Sequence, residues 1–141
     1  MTRIKNPPLR TLLSAFFCTT ALVLLLSGTA FGEGTGKGRT DFQKLEGRWV
    51  RPDGGYVIEL RDAKKDGTVT AAYFNPVPIR VHSASLARKN GTVKLYLELR
   101  DINYPGSIYR LVYDAAADRL KGTYFQAVYK QLFDVEFTRA R

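Results

Sequence analysis

The chain has 141 residues, 25% of them charged and 12% aromatic, with a formal charge of +9, one cysteine and one histidine. That length holds one ordinary domain and excludes a full-size α/β barrel or a two-domain enzyme. The aromatic content excludes a disordered chain, and a single cysteine excludes an internal disulfide.

The first ten residues carry Arg3, Lys5 and Arg10 and no acid. An apolar run from Leu12 to Leu26 follows, then the small residues Ser27, Gly28, Thr29, Ala30 and Gly32. This basic, apolar, small-residue order predicts a secretory signal peptide over residues 1–32, with cleavage after Ala30 or after Gly32. The alternative is a retained membrane anchor, since residues 11–32 carry no charge. Thr19, Thr20, Ser27 and Thr29 dilute that run, and no cysteine follows it in the position a lipid anchor needs. The expected location is therefore the periplasm or the outside of the cell. Without residues 1–32, 109 residues remain, with a formal charge of +6 and no cysteine. Thiol catalysis and a cysteine-ligated metal are then excluded.

Residues 33–46 begin as a flexible lead-in, in which three alternating glycines cannot pack a core. They end in a short helical turn over Asp41–Glu46. Strand and turn signals fill residues 47–141. Gly47–Arg51 is a first strand, ended by the turn Pro52-Asp53-Gly54-Gly55. Tyr56–Arg61 alternates, with Tyr56, Ile58 and Leu60 on one face. Thr68–Phe74 and Ile79–Arg88 are the third and fourth strands. Asn90-Gly91 then marks a tight hairpin into Thr92–Arg100, where Val93, Leu95, Leu97 and Leu99 share one face. After a turn at Asn103-Tyr104-Pro105-Gly106 come strands over Ser107–Tyr113, Leu120–Tyr129 and Leu132–Thr138. Eight strands with no helical crossover predict an all-β, antiparallel, up-and-down meander, closed or nearly closed into a small barrel. Such a barrel is filled by side chains or holds one small ligand.

Leu45-Glu46-Gly47-Arg48-Trp49 opens the first strand and Phe137-Thr138-Arg139 ends the last. A Gly-x-Trp at the start and an arginine at the end of an eight-strand meander resembles the calycin superfamily of lipocalins, fatty-acid-binding proteins and avidins. More closely, the chain is similar to small exported bacterial lipocalin-like proteins. The resemblance implies that Gly47, Trp49 and Arg139 form a plug at one end of the barrel, with Arg139 packed across the Trp49 ring. The barrel is shorter than a typical lipocalin and lacks the usual disulfide, and no biotin-binding set maps onto it.

Chemistry-bearing residues are sparse. His82 is the only imidazole, and on a strand Ser83 points to the opposite face, so no Ser-His-acid arrangement is read here. Asp134 and Glu136 share one strand face, and Glu59 and Glu98 are other mid-strand acids. These fit an outer barrel face, where charge is expected at every second residue. Lysines and arginines are interleaved with acids, which argues against nucleic acid and leaves an anionic membrane surface or envelope component as a partner. All eight tyrosines follow residue 32, and their ring-plus-hydroxyl chemistry suits a small binding pocket. Tyr56, Tyr73, Phe74, Tyr104, Tyr109 and Tyr124 are the candidate ligand contacts. The expected function is non-catalytic binding of a small apolar or amphipathic molecule, with no metal and no cofactor. The alternatives are a filled-barrel structural or interaction module of the envelope and, third, a hydrolase.

Overall fold

A computed structural model describes residues 39–141. The predicted signal segment, 1–32, and residues 33–38 of the lead-in lie outside the described residues. The first element among the described residues is a 3₁₀ turn, Gln43–Leu45. It is narrower than the helical turn expected over Asp41–Glu46. Its start is held reciprocally: the Thr40 N–H donates to Gln43 Oε1 (2.9 Å) and the Gln43 N–H to Thr40 Oγ1 (3.3 Å). This is the two-way pattern of a capping box.

Nine strands follow: β1 Gly47–Val50, β2 Val57–Arg61, β3 Thr70–Asn75, β4 Val77–Ile79, β5 Val81–Lys89, β6 Thr92–Asp101, β7 Tyr104–Asp114, β8 Arg119–Gln126 and β9 Gln131–Arg139. They form one antiparallel sheet in the order β4-β3-β2-β1-β9-β8-β7-β6-β5. The fold is thus all-β, and its meander is that expected from the sequence. The strand count differs because the predicted fourth strand is broken in two. The Arg80 N–H donates to Asp101 Oδ2 (2.9 Å) instead of continuing a ladder. On one side of Arg80, β4 pairs with β3; on the other, β5 pairs with β6. Pro76 and Pro78, just before this break, lack the N–H that a central strand would need.

The break also explains the closure. The two edge strands, β4 and β5, are consecutive in the chain and descend in the same direction, so one bent pass joins both edges of the sheet. Two further contacts draw the edges together: a bridge between Thr68 and Ser85, and a hydrogen bond from the Leu86 N–H to the Gly67 carbonyl (2.8 Å). The result is a nearly closed barrel, in which few backbone groups are left to an open edge.

Alternation places the core. On β6, Val93, Leu95, Leu97 and Leu99 are buried, as are Ile58 and Leu60 on β2. The predicted turn at Asn103–Gly106 is corrected: the chain turns at Ile102-Asn103, and β7 begins at Tyr104. Gly106, at φ +94°, takes up the register shift beside Leu99 and Arg100 as a bulge. Likewise β8 ends at Gln126 and not at Tyr129. The antiparallel order puts the β1–β2, β3–β4, β6–β7 and β8–β9 connections at one end, the mouth. The 3₁₀ turn, the other connections and the end of β9 lie at the base.

Candidate functional site

The base is closed by side chains. Trp49 is fully buried, and its Nε1–H donates to the Leu45 carbonyl (2.8 Å). The Arg139 guanidinium lies 4.2 Å from the Trp49 ring centre. It donates to the Glu46 carbonyl (2.8 Å) and the Lys44 carbonyl (2.7 Å), and its Nε donates to Asp118 (2.7 Å). Arg139 therefore ties the 3₁₀ turn to the last strand while covering the indole, a contact worth about 0.5–2 kcal/mol. Gly47 leaves it room, since a Cβ there would sit 3.1 Å from Arg139 Nη1. The bond from Arg139 is also the chief reason that the Asp118 carboxyl is held below its ordinary range.

Above the base, aromatic rings lead toward the mouth. Phe137 meets Tyr109 edge-on at 5.5 Å, and Tyr109 stacks on Tyr124 at 4.4 Å. Tyr73 and Tyr109 share a buried hydroxyl–hydroxyl hydrogen bond of 2.9 Å. Burial is the main cause that pushes the Tyr73, Tyr109 and Tyr124 phenols above the usual range, so all three stay neutral near pH 7. Tyr73 and Tyr109 are thus core residues under the mouth, with one hydroxyl donating to the other.

Tyr104 and Tyr124 do reach the mouth, together with Tyr56. They line a recess of about 280 Å³. Phe133 completes its aromatic wall, and Asn75, Asn103 and Gln126 supply amides. The Asn75 amide donates to the Tyr104 hydroxyl (2.6 Å). Arg51 is the charged residue of the recess. Its Nε and Nη2 donate to the two carboxylate oxygens of Asp53, at 2.8 and 2.5 Å, and its guanidinium lies 4.4 Å from the Tyr56 ring centre. Asp53 is also the first cause of the raised pKa of Arg51.

Phe74 is not part of this recess. It alternates with the buried Tyr73 and lies on the outer face, near the guanidinium of Arg48. His82 is exposed at the start of β5, beside a register shift. The strand acids meet cations on the outer wall: Glu136 with Arg119, Glu98 with Arg100, and Glu59 with Arg48 and Arg61. Among the described residues, no group of three His, Cys, Asp or Glu side chains is placed to hold a metal ion. Arg51, Gln126 and Phe133 were legible, yet missed. Each is an inward position two residues beyond a core residue: Arg51 after Trp49, Gln126 after Tyr124, and Phe133 before Val135. No family model, curated protein or solved structure matches this chain.

Proposed function

We propose that this protein is an exported, lipocalin-like barrel of calycin type that binds a small amphipathic molecule at its mouth and performs no covalent chemistry. The observation that carries this reading is the recess of about 280 Å³, walled by Tyr56, Tyr104, Tyr124 and Phe133 and furnished with three amides and one guanidinium. Small-molecule sites combine aromatic or apolar walls with placed polar groups. Here the four rings are matched by four polar side chains, and the lining is more polar than apolar, which suits an amphipathic occupant. The volume is that of roughly nine waters at about 30 Å³ each, so the occupant is small. Below the recess, large buried side chains such as Trp49, Tyr73, Tyr109 and Phe137 fill the interior, and a long acyl chain has no channel to follow. Export rests on the order of the N-terminal residues, and calycin type on the Gly-x-Trp and terminal arginine.

The test is native mass spectrometry of protein purified from its own cell envelope, beside a Tyr124→Trp variant whose larger ring occupies the recess. A reproducible small adduct that the variant loses is expected. A clean apo mass in both proteins overturns the reading. A second reading, an envelope interaction module, is favoured by the apolar side chains exposed toward the mouth: Ile102, Val128, Tyr129 and Leu132. In the same spectra that reading requires a protein-sized addition in place of a small one.

A further inference from the structure

Four features of the mouth bear on which small molecule fits it. First, the cation is sheltered and its partner is not: the Arg51 side chain is 12% exposed, that of Asp53 62%. A guanidinium drawn this far from water needs an acceptor, whereas a carboxylate that is mostly hydrated loses little by leaving. Second, Asp53 reaches the flat fork of Arg51 from the surface loop that joins β1 to β2, and both of its oxygens are used. Any carboxylate can present the same two oxygens to that fork. Third, none of the residues lining the recess is acidic, so nothing inside it repels an anion. Fourth, the Tyr124 and Phe133 rings are inclined by only 26° with centres 6.4 Å apart. The two are cross-strand partners on β8 and β9, so their rings form one near-parallel wall against which a flat ring can lie.

We infer that the mouth ligand is a single-ring aromatic carboxylate, and that Asp53 is a built-in competitor occupying the Arg51 fork when the site is empty. The inference rests on the reading of the recess as a ligand site. On binding, the ligand carboxylate takes the two donors of Arg51, Asp53 turns out into water, and the ring lies against the Tyr124–Phe133 wall. The exchange leaves the charge at the fork unchanged, and the contact area of the ring provides the net gain. Selectivity follows: a neutral analogue of the same shape covers the same aromatic wall but leaves the Asp53–Arg51 pair in place.

The test follows backbone and side-chain NMR shifts of the full chain on addition of benzoate, benzamide or acetate, in the wild type and in Asp53→Asn and Arg51→Gln. In the wild type, benzoate is expected to bind at least several-fold more tightly than benzamide, with shifts at Arg51, Tyr104 and Tyr124. Acetate, which has no ring, is expected to produce no saturable shift. Asp53→Asn removes the competitor, so benzoate affinity rises about tenfold while benzamide affinity changes less than twofold. Arg51→Gln abolishes the preference for benzoate. Asp53→Asn changes one exposed side chain and keeps the test valid if the Arg51 variant fails to fold. Equal binding of benzoate and benzamide in both the wild type and Asp53→Asn overturns the inference and leaves the recess a ligand site. No shift at the mouth with any ring-bearing probe overturns both.

Discussion

Beside the bent β4–β5 pass, closure of the barrel rests on the contacts of Gly67 and Thr68 with Leu86 and Ser85, and alanine at Gly67 is the perturbation that tests them. Gly67 has φ +90°, and a Cβ there would lie 2.1 Å from the backbone carbonyl oxygen of Leu86. Leu86 is the residue whose N–H donates to the Gly67 carbonyl. Gly91, in the Asn-Gly hairpin, has φ +75° and nothing within 4 Å of where a Cβ would sit, so it isolates the backbone cost. Left-handed backbone costs an alanine about 1–2 kcal/mol, partly offset by the ~0.4–1 kcal/mol gained from a less flexible unfolded chain. Gly91→Ala should therefore lose about 1 kcal/mol. Gly67→Ala has the same term, must also push two backbones apart, and weakens a hydrogen bond worth about 1 kcal/mol. Its expected loss is about 3 kcal/mol. Urea unfolding followed by Trp49 fluorescence would read the ~2 kcal/mol difference as a midpoint lower by about 1 M, for a slope of about 2 kcal/mol per M. Equal midpoints for the two variants would show that the Gly67–Leu86 contact does not hold the barrel closed.

Two other predictions concern the core and the base. Burial raises the Tyr73 and Tyr109 phenols above their ordinary 10.0, so their contribution to stability is whole below pH 10 and is lost as pH rises from there toward the folded-state values. Each phenol steepens that loss by up to about 1.4 kcal/mol per pH unit. Tyr73→Phe should remove one such share from the slope measured by urea unfolding between pH 10 and 11, and an unchanged slope would contradict the assignment. At the base, Arg139→Met removes the bonds to the Glu46 and Lys44 carbonyls and should cost about 2–4 kcal/mol. Arg139→Lys should recover only a fraction, because an ammonium lacks the planar fork. A lysine variant as stable as the wild type in chemical denaturation would refute the role given to the guanidinium.

Much of the architecture was legible because the signal is local. Strict alternation over Thr92–Arg100 forces one face inward, and Asn90-Gly91 can hardly be anything but a tight turn. The site was less legible. Tyr56, Tyr104 and Tyr124 reach the mouth, while Tyr73 and Tyr109 lie in the core and Phe74 outside. Residue type alone does not separate these positions, since a tyrosine is equally at home in all three. Arg51 read as the last residue of a strand; its inward direction follows from Trp49 by alternation, but its partner and its neighbours come from four different connections.

By itself, then, the sequence determined the class of fold, the faces of the strands and the expected ends of the barrel, because these depend on residue spacing of two and on turn chemistry within a few positions. Tertiary structure alone decided that Arg80 breaks one strand into both edges of the sheet, how far the interior is filled, and that Asp53 sits on Arg51 beside four aromatic rings. Those outcomes depend on register and closure, which bring together residues as far apart as Arg51 and Phe133 and leave no mark at either position alone.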